Sequence, residues 1–280
     1  MPRRATLPAE PYPHRGGERG FTLVELLVVS GIIAVLISLL LPTLARARNS
    51  AERAVCLSNM QQMAQALYIY GAQFKGAIPP SEPHSNAGTT YVVWRSPGTR
   101  EPGYIAQWTA EGWMGPGYLF FTRILKNPKT FYCPSMTVEG FTYHPQEWDN
   151  PGSYRFMGYL YRIFGQVEGP GPIAARKQKA VNDVMKFRFG KMKNKALVKD
   201  LLMMGWGLGL TWPHRQPYGV NVAYSDGHGE FVQLKRSDFD AAYRQATKPD
   251  SGVVNASYYT VIMFDALDSQ NFIELRNTFP

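Results

Sequence analysis

Cysteine is scarce in this chain: 280 residues contain two, Cys56 and Cys133. Two thiols cannot complete a tetrahedral zinc site by themselves. In a reducing compartment they would be buried and inert, and in an oxidising one they can pair. Acidic residues are also few, 21 against 30 Lys and Arg. Between Arg176 and Lys199 only Asp183 opposes nine cations, and that stretch carries nearly all of the net charge of +9. Such a surplus admits an anionic partner. Its aromatics are only Phe187 and Phe189, too few for base stacking along a single-stranded nucleic acid, so a solvated face is the plainer reading. Catalytic patterns are missing as well. Gly205-Trp206-Gly207-Leu208-Gly209 has no P-loop lysine. Ser225 beside Asp226 sits in a turn and not on the strand-to-helix elbow of a hydrolase. A hydrophobic share of 45% with 13% aromatics excludes a disordered chain.

Charge is also missing from one long stretch. Residues 1–20 hold Arg3, Arg4, Arg15 and Arg19 and no apolar run, and then Phe21 to Leu41 reads FTLVELLVVSGIIAVLISLLL with Glu25 as its single charge. As a helix this run spans about 31 Å, close to the hydrocarbon thickness of a bilayer. It is too long for the apolar core of a secretory signal peptide, and Ala45-Arg46-Ala47 behind it is a poor cleavage site. A plain transmembrane anchor fits the length but leaves Glu25 unexplained, because a carboxylate in the membrane costs about 2.5–3.5 kcal/mol even on a lenient scale. Cations on the two flanks are nearly balanced, so charge asymmetry hardly orients the span.

The string Gly20-Phe21-Thr22-Leu23-Val24-Glu25-Leu26-Leu27 resembles the processing site of type IV prepilins and type II secretion pseudopilins. That resemblance implies cleavage between Gly20 and Phe21 by a prepilin peptidase, N-methylation of Phe21, and pairing of Glu25 with the N-terminal amine of a neighbouring subunit. The chemistry is consistent, since a lone buried charge is expensive and a paired one is tolerable. The implied partners are the peptidase, identical or homologous pilin-like subunits, and the inner membrane. The implied location is single-pass in that membrane, with the C-terminal domain periplasmic. Export in turn predicts a disulfide between Cys56 and Cys133.

After the apolar run, Pro42 is expected to break or kink the helix. Beyond it Leu44, Ala47, Ala51, Val55, Asn59, Met63, Leu67, Tyr70 and Phe74 recur at spacings of three or four, the stripe of an amphipathic stalk ending near Gly76 to Pro80. From Ala77 onward, short apolar runs alternate with Pro and Gly turns, which reads as antiparallel strands with long loops. The clearest element runs from Tyr218 to Val232, where alternating strands flank Asp226-Gly227, a strong hairpin signal. The segment resembles a C-terminal signature in pilin-like proteins of the planctomycete and verrucomicrobial groups, a His, nine residues, then Asp-Gly. Gly219, Asn221, Asp226, Gly227 and His228 match, while His214 stands eleven residues ahead of Asp226. Cys56 in the stalk and Cys133-Pro134-Ser135 fit the same group.

The expected fold is therefore α+β: a long N-terminal helix, membrane anchor plus amphipathic stalk, packed on an antiparallel sheet domain with long loops. The expected divisions are a leader at 1–20, a membrane and stalk helix at 21–76, and an extracytoplasmic domain at 77–280. His214, Asp226 and His228 are ordinary metal ligands by type, but the turn itself needs Asp226 and Gly227. The expectation is no metal, no cofactor and no catalytic residue. The function implied is a structural subunit of a type IV pilus-like or type II secretion pseudopilus filament. The alternative is a membrane-anchored binding protein on the same export route, gripping a polyanion at Arg176–Lys199.

Overall fold

The computed structural model describes residues 20–79, 81, 89–95, 112–149, 154–162, 188–189, 192, 194–201, 212–214, 217–235, 237 and 267–268. The chain divides into two compact units, Met1–Arg46 and Ala47–Pro280.

A single helix, α1, runs from Leu23 to Gln73. Within the first unit its apolar side chains from Phe21 to Leu41 are exposed on every side. An 18-residue window there reaches a mean hydropathy of 2.7, long and apolar enough to cross a membrane. The expected break at Pro42 does not occur, because α1 continues through it. A proline deletes one intrahelical N–H bond, and the bonds on either side carry the helix on. Thr43 adds a bond from its hydroxyl to the Leu40 carbonyl at 2.8 Å. The helix ends at Gln73, slightly before the expected Gly76. Lys75 and Gly76 take positive φ, and the Gly76 N–H donates to the Gly71 carbonyl at 2.6 Å, the bond that closes a Schellman cap.

In the second unit five antiparallel strands form one sheet in sequence order: β1 (Thr89–Arg95), β2 (Tyr154–Arg162), β3 (Ala196–Asp200), β4 (Gly219–Tyr224) and β5 (Gly229–Gln233). Two short helices, α2 (Gly117–Phe121) and α3 (Pro145–Asp149), and a 3-10 turn at Pro128–Phe131 lie between β1 and β2. The α+β expectation is met: the C-terminal part of α1, within the second unit, packs on an antiparallel sheet.

The stalk face differs from the expected stripe in phase. The buried residues of α1 are Cys56, Met60, Met63, Ala64, Ala66, Leu67, Tyr70 and Gly71, whereas Leu44, Val55 and Phe74 stay exposed. Spacings of three and four are shared by neighbouring faces of a helix, and the contacts of Cys56 select among them. Burying Met60, Met63 or Leu67 completely is worth about 1.5–3 kcal/mol each. Opposite them lie Met157, Tyr159 and Tyr161 of β2 and Ala196 and Val198 of β3, all buried in the same core.

The β4–β5 hairpin pairs Gly219 with Gln233 and Ala223 with Gly229. Asp226-Gly227 lies in its connection as expected. The turn is the longer kind: Gly227 N–H donates to the Tyr224 carbonyl at 3.0 Å, and Gly227 then takes φ +90°, a left-handed position that favours glycine. At Gly219 the constraint is space, because a Cβ there would lie 2.3 Å from Phe231 Cζ and 2.6 Å from the Val232 carbonyl oxygen.

Candidate functional site

Two groups of residues carry chemistry, and each lies within one unit. The first is the start of α1. Thr22 N–H and Thr22 Oγ1 both donate to Glu25 Oε2, at 2.9 and 2.8 Å. Glu25 N–H returns a bond to Thr22 Oγ1 at 3.2 Å. This is a capping box, in which Thr and Glu three residues apart satisfy each other's backbone donors at a helix start. The Thr-x-x-Glu pattern of the box stands contiguous in the sequence at Thr22 and Glu25. Glu25 thus has a local role besides the one its resemblance implies. Gly20 and Phe21 precede the helix and are exposed, and Phe21 retains 85% of its accessible surface.

The second group is buried where α1 meets the sheet. Cys56 comes from α1 and Cys133 from the stretch after the 3-10 turn. They are joined by a disulfide with Cα atoms 5.0 Å apart. His214 Nε2 lies 3.6 Å from Cys133 Sγ and 3.5 Å from Asp200 Oδ2. Asp200 ends β3, and its Oδ2 also accepts the Asn221 N–H at 2.6 Å. Its Oδ1 accepts no hydrogen bond among the described residues. The four ligand-type atoms of Cys56, Cys133, Asp200 and His214 lie within 4.8 Å of one another, and all four residues are buried. Asn221, also fully buried, donates from Nδ2 to the Arg53 carbonyl at 3.4 Å, linking β4 to the helix.

Further bonds hold the Cys-Pro-Ser segment on the stalk. Ser135 Oγ donates to Glu52 Oε2 at 3.0 Å, and Arg48 Nε to Glu52 Oε1 at 2.8 Å. The Arg48 bond and the Ser135 bond hold the Glu52 carboxyl below its usual range against desolvation. Asn59 Nδ2 donates to the Tyr132 carbonyl at 3.1 Å, so a residue counted into the apolar stripe serves as a polar clasp. Tyr159 Oη donates to the same carbonyl at 3.1 Å, and burial pushes its phenol well above the usual value.

The hairpin signature separates into parts. Asp226 and His228 meet at the exposed turn: Asp226 Oδ1 accepts the His228 N–H at 3.1 Å and lies 2.5 Å from its Nδ1, while the His228 ring stacks on Tyr224. The His228 bonds lower the Asp226 carboxyl, against desolvation as the largest opposing effect. His214 instead belongs to the buried group around the disulfide. Sequence spacing links His214 to Asp226; the fold links it to Asp200, which no sequence signal singled out.

Of the basic segment, residues 176–187, 190–191 and 193 lie outside the described residues. Two of its remaining cations are committed elsewhere. Lys199 is completely buried in β3, so it cannot belong to a solvated face or touch a polyanion. Lys195 Nζ pairs with Asp268 Oδ2 at 2.9 Å, as does Arg162 at 2.7 Å.

Residues 15–41 match the family model of the prokaryotic N-terminal methylation motif. The chain is 34% identical over 80 residues to the type II secretion system core protein G of Klebsiella pneumoniae, a match covering 24% of this chain and 57% of that protein. The chain therefore spans less than two thirds of that relative's length. No solved structure matches the chain. The motif and the relative support a pilin- or pseudopilin-like protein, and the N-terminal helix is long and apolar enough to cross a membrane.

Proposed function

We propose that the chain is a structural subunit of a type IV pilus-like or type II secretion pseudopilus filament. It is made with a leader at residues 1–20 and is cut between Gly20 and Phe21 by a prepilin peptidase. Phe21 is then N-methylated, residues 21–76 form the membrane and stalk helix, and residues 77–280 fold in the periplasm. The observation that carries this reading is an apolar helix exposed on all sides from Phe21 to Leu41 with one carboxylate, Glu25, near its start. In lipid that surface anchors a monomer, and in a filament it packs against copies of itself. The new Phe21 amine and Glu25 of a neighbour cancel each other and set the axial offset between subunits.

Two features support a structural role over a catalytic one. The related protein is named as a core component of a secretion system, and the conspicuous polar side chains of the second unit clasp secondary structures together. The test is intact and peptide mass spectrometry of protein extracted from membranes of cells carrying the assembly machinery. The expected mature N-terminus is methylated Phe21. An intact leader, or cleavage after Ala47, would overturn the processing step. The polyanion-binding alternative is weakened by the burial of Lys199 and the pairing of Lys195.

A further inference from the structure

Two thiols are too few for a zinc site, but the fold brings two more ligands to them. We propose that the dithiol form of this chain binds one zinc-class divalent ion through Cys56 Sγ, Cys133 Sγ, His214 Nε2 and an Asp200 carboxylate oxygen, and that forming the Cys56–Cys133 disulfide expels it. This site is independent of the filament reading and uses none of the residues of the processing motif.

The geometry is the first support. Zinc sits about 2.3 Å from thiolate sulfur, about 2.0–2.1 Å from imidazole nitrogen and about 2.0–2.2 Å from carboxylate oxygen. Tetrahedral angles then put sulfur and nitrogen about 3.6 Å apart, and nitrogen and oxygen about 3.4 Å apart. The structure has 3.6 Å from Cys133 Sγ to His214 Nε2 and 3.5 Å from His214 Nε2 to Asp200 Oδ2. Nε2 faces both a sulfur and a carboxylate oxygen, at separations that two atoms sharing one ion would take. The edge between the sulfurs does not fit, being 2.10 Å because they are bonded, and all four ligand atoms lie within 4.8 Å of one another. In a zinc site that edge opens to about 3.8 Å.

Burial and charge are the second support. All four residues are buried, Asp200 completely, and its Oδ1 accepts no hydrogen bond among the described residues. A buried carboxylate short of partners is costly, and a divalent ion held through Oδ2 would offset the charge of that carboxylate. The Asn221 N–H on Asp200 Oδ2 is the outer-shell bond that orients a ligating carboxylate. The ligands come from α1, the segment after the 3-10 turn, the end of β3 and the approach to β4, so the ion would bind only a folded second unit.

The exchange balances. Two thiols lose two protons when they ligate the ion. An external disulfide then takes two electrons from the two thiolate sulfurs and leaves as two thiolates. The Cys56–Cys133 bond forms and the ion departs to water.

The test uses the full-length chain in detergent, reduced, freed of reductant and kept without oxygen. Cobalt is the probe, with zinc as competitor. The expected result is one cobalt per chain, tetrahedral ligand-field bands with a thiolate-to-cobalt charge-transfer band, and displacement by zinc. The disulfide form should show none of these. Oxidised glutathione added to the zinc form should release one zinc for every two protein thiols oxidised. His214→Gln should weaken zinc binding by at least about 100-fold, the upper end of the loss from an outer-shell change. If that variant fails to fold, the wild-type comparison decides: zinc raises the melting temperature of the dithiol form and leaves that of the disulfide form unchanged. Absence of the charge-transfer band in the dithiol form, equal cobalt uptake by the disulfide form, or undiminished zinc binding by a folded His214→Gln chain would each overturn the proposal.

Discussion

Glu25 meets two demands that a single substitution can pull apart. In this structure it completes a capping box with Thr22; in the proposed filament it neutralises a neighbour's amine. Glutamine at this position keeps the reciprocal bonds of the box but carries no charge. We predict that Glu25→Gln inserts into the membrane normally and loses polymer, because the incoming Phe21 amine is left unpaired in lipid. Glu25→Val removes the box too, at about 1 kcal/mol of helix stability, while removing a desolvation cost of about 2.5–3.5 kcal/mol. Its insertion should therefore be at least as good as wild type. Membrane-bound monomer and sheared filament, quantified separately, give the answer. Full polymer from Glu25→Gln would assign the residue to the helix start and not to assembly.

Among the elements, the stalk and the sheet depend on the Cys56–Cys133 bond and on the hairpin. The bond links residues 77 apart in sequence, and constraining so long a loop in the unfolded chain is worth about 4 kcal/mol. Reduction, or Cys56→Ala with Cys133→Ala, should lower the unfolding free energy of the second unit, measured by urea melts in metal-free buffer, by that order. An unchanged midpoint would mean that core packing alone sets its stability. The hairpin has a different weak point. A methyl at Gly219 would meet Phe231 and the Val232 carbonyl well inside contact distance, so Gly219→Ala should destabilise by about 1–3 kcal/mol. Gly227 has nothing within 4 Å but takes φ +90°. Gly227→Ala is then a backbone effect, which Asn should tolerate better than Ala. Thermal melts of the three variants distinguish space from strain.

For the whole molecule the pH response follows from buried tyrosines. Burial pushes Tyr91 and Tyr70 up to about 12 and Tyr161 higher still. In the unfolded chain each would lose its proton near pH 10. Between about pH 10 and 12 the unfolded state holds fewer protons than the folded state, so stability falls as pH rises through that window. Below pH 10 these groups contribute no slope. We predict alkaline unfolding that coincides with tyrosinate absorbance. Free titration of these tyrosines near pH 10 in a chain that stays folded would contradict their burial.

Local features were legible because local physics fixes them. The charge gap from Phe21 to Leu41 makes a membrane-length helix whatever the rest of the chain does, and Gly20 to Glu25 form a contiguous string within the matched N-terminal methylation motif. Asp226-Gly227 turns the chain because its neighbours alternate and glycine accepts a positive φ. The helix face could not be read the same way: spacings of three and four fit Val55 and Phe74 as well as Cys56 and Met60, and only packing against Tyr159 and its neighbours separates them. His214 shows the limit most sharply. Counting along the chain ties it to Asp226, whereas β3 and β4, paired edge to edge, place it against Asp200 and the cysteines. A cluster drawn from four distant segments has no period and no spacing, because its members meet only after the sheet has chosen its order and the helix its face.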